Sequence, residues 1–212
     1  MNVKDLLLAC DVSEDHFAAI GEAIPEAYIG LSKLVRDTPM LSQFAPGYRV
    51  ALPHLRNLAV QFALEAKAAS TQLFYTKMAS NSIGNFNFLE LQCGQVIFTA
   101  HYRGKRGSRA IPKAIYRAEL AQRTPDLFQV EGAAPDFNLG SKAAYAQISH
   151  GGAEKPQYAA IRIPNRDQLT YSLQPYVLEL RTPNPVVAEQ VRDQLDHNFK
   201  QKIREFKEKY AS

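Results

Sequence analysis

The sequence predicts an α+β fold with an antiparallel sheet, and three observations support that class. Apolar residues recur at helical spacing through the first 80 residues and again from residue 184 to the end. Between these regions lie short runs rich in β-branched and aromatic residues, separated by glycine-containing and proline-containing turns. The predicted order is N-terminal helices, a β-hairpin, a short basic helix, three further antiparallel strands and a long C-terminal helix.

The first 80 residues predict helices. Ser13 precedes two acidic residues, so we expect it to cap a helix whose positive end those acids stabilise. Pro25 is expected to end or kink this helix, with a second segment running to about residue 36. A long helix is predicted from about 50 to 78, with Pro53 tolerated in its first turn. Its apolar stripe comprises Leu52, Leu55, Ala59, Phe62, Ala66 and Leu73.

The remaining residues predict strands and two helices. Residues 86–92 and 95–102 form a predicted hairpin with Cys93 and Gly94 at its turn. Alternation places Val96, Phe98, Ala100 and Tyr102 on one face of the second strand, and Ile97, Thr99 and His101 on the other. A short helix is predicted at 112–122. Three further strands (143–149, 157–163, 170–181) and a helix opened by Asn184 and Pro185 complete the chain.

Length and composition predict one intracellular domain. The 212 residues suit a single domain, with residues 1–80 as a helical subdomain and 81–212 as the sheet-containing part. The two cysteines, Cys10 and Cys93, lack a CxxC spacing, so no metal site, cofactor or disulfide framework is predicted. The apolar run at residues 6–10 is too short for a signal peptide, and no stretch is long enough to span a membrane. We therefore expect a soluble, cytoplasmic protein that does not engage a membrane.

The positive charge of the chain is local. Residues 101–123 contain seven cationic side chains and one acidic one, a net +6, whereas the whole chain carries +4. Outside this segment the basic and acidic side chains therefore almost cancel. A basic segment of this density is found either on a surface that binds an anionic partner or on a solvated loop and helix, and both readings stay open from the sequence.

This segment predicts a phosphate-binding loop and helix at residues 103–117. Glycines let backbone amides approach a phosphate, and a helix N-terminus adds partial positive charge. We expect the partner to be nucleic acid, DNA or RNA, or else an acidic protein, with Tyr102 and Tyr116 as candidates to stack on bases. The binding candidates are Arg103, Lys105, Arg106, Arg109, Lys113 and Arg117, of which the last three are spaced by four and would share one helical face.

Two other function classes remain open from the sequence. A phosphodiester-cleaving enzyme, a nuclease or phosphoesterase, would use His101 and His150 as acid and base if their strand ends converge. Glu90, a charged residue in an apolar strand, would instead belong to a magnesium-dependent site. The third class is a non-catalytic protein-interaction module, in which a terminal helix pairs with a second copy to form a homodimer.

Overall fold

The computed structural model describes residues 2–38, 45–84, 87–104, 111, 113–123, 144–165, 171 and 173–210. Within these residues the chain forms an α+β fold with a long C-terminal helix, as the sequence predicts. The helices are α1 (Val3–Ala9), α2 (Glu14–Asp37), α3 (Ala45–Thr71), α4 (Ile115–Arg123) and α5 (Pro185–Tyr210). The strands are β1 (Tyr75–Ser80), β2 (Asn87–Cys93), β3 (Val96–Tyr102), β4 (Ala144–Gly152), β5 (Pro156–Arg162) and β6 (Tyr176–Val177).

The six strands form one mixed sheet in the order β1-β2-β3-β4-β5-β6. All neighbouring strands pair antiparallel except β3 and β4, which run parallel. Their register places Val96 beside Ala144 and Tyr102 beside His150. The predicted hairpin is present, but the expectation of a purely antiparallel sheet is wrong at its centre. Parallel neighbours need a long crossover, which is supplied here by residues 103–143.

The predicted helix at 50–78 is wrong at both ends. Helix α3 begins at Ala45, so Pro53 lies inside it rather than in its first turn. It ends at Thr71, where the next residue, Gln72, takes a left-handed conformation with φ of 57°. The chain then forms β1, which pairs with β2 along its whole length. The hairpin is therefore part of a three-stranded meander.

Helix α2 continues through Pro25, so of the two predicted outcomes, an end or a kink, the end is wrong. Proline has no backbone N–H, so the carbonyl of Gly21, four residues earlier, loses its helical partner. The backbone N–H of Arg181 donates to that carbonyl instead, at 3.2 Å. Gly21 has no side chain, which lets the carbonyl of Glu179 pass close beside the helix. The segment around Arg181, just before α5, thus satisfies the carbonyl that Pro25 leaves without a helical partner.

Glu26 joins three helices from a fully buried position on α2. Its Oε1 accepts from Lys67 Nζ on α3 and from the backbone N–H of Asn184, both at 3.2 Å. Lys67 also donates to Glu22 at 3.0 Å. Burial raises the pKa of Glu26, and the hydrogen bond from Asn184 and the charge of Lys67 oppose that shift. The start of α5 is thereby held against α2 and α3.

Helix α5 packs on α2 and α3. Ala188, Val191 and Leu195 are buried in the interface. Close approach is possible at Gly30, where an added Cβ would lie 2.7 Å from the carbonyl oxygen of Ala188 and 3.0 Å from Val191 Cβ.

The two faces of the sheet have different coverings. One, the helix face, carries Leu91, Phe98 and Ile148 into a core shared with residues of α1, α2, α3 and α5. The other, the crossover face, carries Phe88 and Tyr145, which pack with Tyr116, Leu120 and Ala121 of α4.

The last of the predicted strands, at 170–181, is shorter than expected, since only Tyr176 and Val177 pair with β5. In the described part of the chain, no helix has an apolar stretch long enough to cross a bilayer.

The α2–α5 contact predicts an inverted response to a helix-favouring substitution. Gly30→Ala in an isolated helix would stabilise by about 1 kcal/mol. Here the new methyl group meets the backbone carbonyl of Ala188, so we expect a net loss of about 1–3 kcal/mol in the free energy of unfolding. Urea denaturation measures the change. Ser70→Ala is the control, because Ser70 is exposed near the end of α3 and its hydroxyl donates to the Lys67 carbonyl of the same helix. A more stable Gly30→Ala variant would contradict this packing.

Candidate functional site

The basic crossover starts at Arg103, immediately beyond β3. Its backbone N–H donates to the carbonyl of His150 at 2.9 Å, which ties the first crossover residue to β4. Gly104 follows with φ of 81°, a left-handed conformation that favours glycine. Its carbonyl passes so close to Gly151 that a side chain there would collide with it and with the ring of Tyr158. The backbone of Arg103, whose side chain is half-exposed, is therefore held at one edge of the sheet by its bond to His150 and by the close packing of Gly104 on Gly151.

The predicted helical face of three cations is not formed as expected. Lys113 is exposed but precedes the first residue of α4, so it does not share a helical face with Arg117. Arg117 is only 7% exposed. Its guanidinium lies 5.0 Å from the centroid of the Tyr116 ring and donates to the Tyr116 hydroxyl at 2.8 Å. The other three predicted cations, Lys105, Arg106 and Arg109, lie outside the described residues.

Arg162, at the end of β5, adds a cation that the sequence analysis missed. Its half-buried guanidinium lies over the ring of Tyr171, 5.2 Å from the centroid. Burial is the main cause that lowers the pKa of the Arg162 guanidinium, and the positive charge of Arg103 lowers it further. Among the described residues, no carboxylate forms an ion pair with Arg162. Arg162 and Arg103 thus place two guanidinium groups near each other at the crossover end of the sheet.

His101 belongs to a buried polar cluster on the crossover face. Its Nε2 lies 2.6 Å from Thr99 Oγ1 and 3.3 Å from the Tyr145 hydroxyl, and those two oxygens are 2.8 Å apart. The ring of Tyr116 covers it, with centroids 6.5 Å apart. Burial, followed by the positive charge of Arg117, lowers the pKa of His101 well below its usual value. The imidazole is therefore neutral at physiological pH.

His150 belongs to a separate network on the helix face. The Tyr28 hydroxyl donates to its Nδ1 at 3.2 Å, and its Nε2–H donates to Asn57 Oδ1 at 3.4 Å, which together fix one neutral tautomer. Tyr102 stands beside it and donates to the carbonyl of Gly152 at 3.0 Å. Burial, with a smaller effect of Arg56, lowers the pKa of His150 to about 3.

The structure does not bring His101 and His150 into one cleft. Their strands do end at the same edge, with Tyr102 opposite His150 in the register, but alternation directs the two imidazoles to opposite faces of the sheet. Both are held neutral, and an acid–base pair would need one of them protonated. The geometric premise of the histidine-based phosphodiesterase is absent.

Glu90 is half-buried on the crossover face, opposite Lys77 in the β1–β2 register. Within the described ranges, no three His, Cys, Asp or Glu side chains lie close enough together to hold a metal ion. Glu90 therefore has no described partner ligands for a magnesium site.

Tyr116, which the sequence suggested could stack on bases, is itself stacked on Phe88 with ring centroids 4.0 Å apart, so one face of its ring is occupied.

Comparison with known proteins finds no family, no curated relative and no solved structure that this chain matches. Gln147 on β4 and Arg162 on β5 are polar residues that were not predicted from the sequence, although the alternation of polar and apolar residues in these strands could have indicated them. Gln147 and Ser149 alternate with Ala146 and Ile148 along β4, and both lie on the crossover face, beside His101 and Arg162.

The two neutral histidines predict a measurable pH dependence of stability. The unfolded chain binds a proton at each histidine below about pH 6.5, whereas folded His150 does so only near pH 3. The stabilisation that comes from keeping these two histidines neutral is thus fully present above pH 6.5 and is lost as the pH falls towards 3. Between pH 7.5 and 5.5 each buried histidine should contribute a loss of about 1.4 kcal/mol.

Urea unfolding of His150→Gln and His101→Gln at both pH values measures these contributions. Each variant should lose about 1.4 kcal/mol less than the unmodified protein over this interval, whatever its stability at pH 7.5. Other groups, including Glu26, whose raised pKa acts in the opposite direction, cancel in the comparison. His54→Gln, at an exposed histidine, is the control for imidazole replacement. An unchanged pH dependence in His150→Gln would show that this imidazole is not held neutral.

Proposed function

We propose that this protein binds nucleic acid, or another phosphate-bearing polyanion, at the crossover end of its sheet. The observation that supports the proposal best is the concentration of positive charge in residues 101–123, which carry a net +6 and leave the sheet at Arg103. The rest of the crossover, residues 124–143, contains three acidic side chains and one lysine, so residues 103–143 together remain positive at +4. Arg162 of β5 adds a half-buried cation near Arg103, whose charge lowers the pKa of Arg162.

Arginine chemistry favours phosphate as the bound group. Five of the seven cations in residues 101–123 are arginines, and a guanidinium can donate two parallel hydrogen bonds to one phosphate. The ring of Tyr116 is stacked on Phe88, and the ring of Tyr102 contacts the Arg56 guanidinium, 5.3 Å from its centroid, so each ring has one side occupied within the protein. Binding through phosphates alone would be independent of base sequence.

The expected cytoplasmic location, an acidic protein partner and the histidine-based enzyme are separate expectations from the sequence. We propose a cytoplasmic location, since Cys10 and Cys93 are both free and buried thiols. Burial raises the pKa of Cys93 to about 11, which keeps the thiol protonated and unreactive. An acidic protein partner would use the same cations, and the histidine-based enzyme would need a geometry different from the one described above.

A homodimer through α5 would have to use the end of that helix. Ala188, Val191 and Leu195 are already buried against α2 and α3, and Phe199 is partly buried. The turns after Phe199 would carry the contact between two copies. Light scattering of the full chain and of a chain ending after residue 200 should then give twice the monomer mass for the first and the monomer mass for the second. Equal masses would exclude this mode of assembly.

Salt dependence provides the test of polyanion binding. Affinity for a fluorescent DNA duplex should fall as salt rises, because each neutralised phosphate releases condensed counterions, with a slope of about −0.9 in log K against log[salt] per contact. Changing Arg103 and Lys113 together to Gln should flatten the slope by about 1.8. Both side chains reach solvent, so the fold should be retained.

Arg204→Gln combined with Lys200→Gln is the matched control, since it also replaces one arginine and one lysine, both exposed on α5. Its slope should equal that of the unmodified protein. Single-stranded RNA and an acidic peptide complete the series and identify the partner class. A protein that binds none of these probes at low salt would contradict the proposal, and equal slopes for the double variant and the control would exclude Arg103 and Lys113 as contacts.

A further inference from the structure

Strand β1 forms one edge of the described sheet. It is first in the strand order, and its described neighbour is β2, with which it pairs over its whole length from Tyr75 to Ser80. A β-strand has backbone N–H and C=O groups on both sides, so the side of β1 that faces away from β2 can pair with a further strand. This edge is therefore a template for a strand from another chain.

The side chains and the shape of β1 leave this edge accessible. Tyr75 is 68% exposed and Met78 is 54% exposed, although both are large hydrophobic residues. Native edge strands are commonly kept from pairing by a proline, a bulge or charged side chains. The β1 sequence contains no proline, its register with β2 is regular, and Lys77 is its one charged residue. An edge of this kind is suited to pairing with another chain.

Symmetry limits the ways in which two copies of β1 can pair. Two copies of the same edge pair antiparallel around a two-fold axis perpendicular to the sheet, and this rotation keeps each side chain on its own face. Residues that lie opposite each other in an antiparallel pair share a face, and the faces alternate along a strand. One residue must therefore lie opposite its own copy. The two registers with the greatest overlap place either Lys77 or Met78 at the axis.

The charge of Lys77 selects between these two registers. An axis at Lys77 would set its ammonium group directly opposite the same group of the second copy, and like charges in that position are destabilising. An axis at Met78 sets Lys77 opposite Ala79 of the second copy and brings the two exposed methionines together. It also sets Thr76 opposite Ser80, a pair of hydroxyl side chains that can hydrogen-bond across strands. Strand β1 is therefore complementary to itself in one register.

We infer that β1 pairs with β1 of a second copy around a two-fold axis at Met78, so that two six-stranded sheets become one continuous sheet. Because the axis is perpendicular to the sheet, both crossover faces lie on the same side of the dimer. At the other edge of the sheet, β6 pairs over only Tyr176 and Val177, so β1 is the longer template. The inference uses a surface separate from the end of α5, and it does not rest on the proposed nucleic-acid binding.

The concentration dependence of the molecular mass tests this pairing. Sedimentation equilibrium of the full chain should show a transition from one copy to two as the protein concentration rises. Met78→Lys replaces the apolar contact at the axis with two facing charges, so the dissociation constant of the dimer should rise at least tenfold. Val177→Lys is the matched control, because Val177 is 69% exposed on the opposite edge strand, and it should change the constant less than twofold. Equal weakening by both variants would overturn the inference.

Cysteine cross-linking tests the register independently. Met78→Cys and Lys77→Cys each place one thiol on β1, whereas the native Cys10 and Cys93 are buried. The Cβ atoms of directly opposite residues lie about 5 Å apart, so a small approach allows a disulfide to form when oxidised glutathione is added. Met78→Cys should form a covalent dimer at least tenfold faster than Lys77→Cys, whose copies are offset along the strands. Equal rates, or faster cross-linking through Lys77→Cys, would overturn the inferred register.

Two further measurements separate this dimer from the alternatives. A chain ending after residue 200 keeps β1 and should dimerise as the full chain does. A dimer that is lost on this truncation but kept in Met78→Lys would assign assembly to α5 and overturn the inference. One copy at every concentration would also overturn it and leave the edge to a strand of a different protein. Binding of the DNA duplex by Met78→Lys measures the polyanion surface of a single copy, so the two proposals fail separately.

Discussion

The parallel pairing of β3 and β4 is the constraint on which the rest of this structure depends. Two parallel neighbours cannot be joined by a tight turn, so residues 103–143 must leave one end of the sheet and return to the other. The same pairing brings the carboxyl ends of both strands to one edge, where the N–H of Arg103 reaches the carbonyl of His150. The concentrated positive charge of the sequence is therefore carried by a crossover, and that crossover places α4 against the face of the sheet that α2, α3 and α5 leave uncovered.

Because a strand directs alternate side chains to opposite faces, β4 takes part in two environments at once. Ala146 and Ile148 complete an apolar core under the helices, whereas Gln147 and Ser149 face the crossover with donors that lack partners. The same alternation explains why neighbouring strand ends do not make a histidine pair. His101 and His150 are close along the sheet but belong to networks separated by its thickness, and each network stabilises a neutral imidazole. Among the described residues, the crossover face thus carries buried donors without a hydrogen-bond partner, and it does not bring the two histidines together as an acid–base pair.

Local chemistry made part of this fold predictable. Ser13 precedes the first residue of α2, the turn at Gly94 joins β2 to β3, and Asn184 Oδ1 accepts from the N–H of Val186 at the start of α5. The errors arose where a distant segment decides the outcome. Pro25 is tolerated because the N–H of Arg181 donates to the carbonyl that Pro25 leaves free. The direction of β4 could not be predicted, because a strand shows the same alternation of residues whether it pairs parallel or antiparallel. In the candidate site, Arg103 and Lys113 could be predicted from charge alone. The burial of Arg117 against Tyr116, and the buried donors of β4 that lack hydrogen-bond partners, could not, because both depend on packing across the sheet.

The middle of α2 carries a set of residues that only this arrangement explains. Gly21 and Gly30 make room for backbone from the C-terminal part of the chain, Pro25 frees the carbonyl that Arg181 binds, and Glu26 holds Lys67 and the start of α5. Each is tied to its position by a contact far away in sequence, so substitution at one should be accepted only with compensation at its partner. The spacing Gly-x3-Pro-Glu-x3-Gly, followed by a helical lysine and an Asn-Pro before the last helix, is therefore a signature by which a remote relative would be recognised after overall similarity has disappeared.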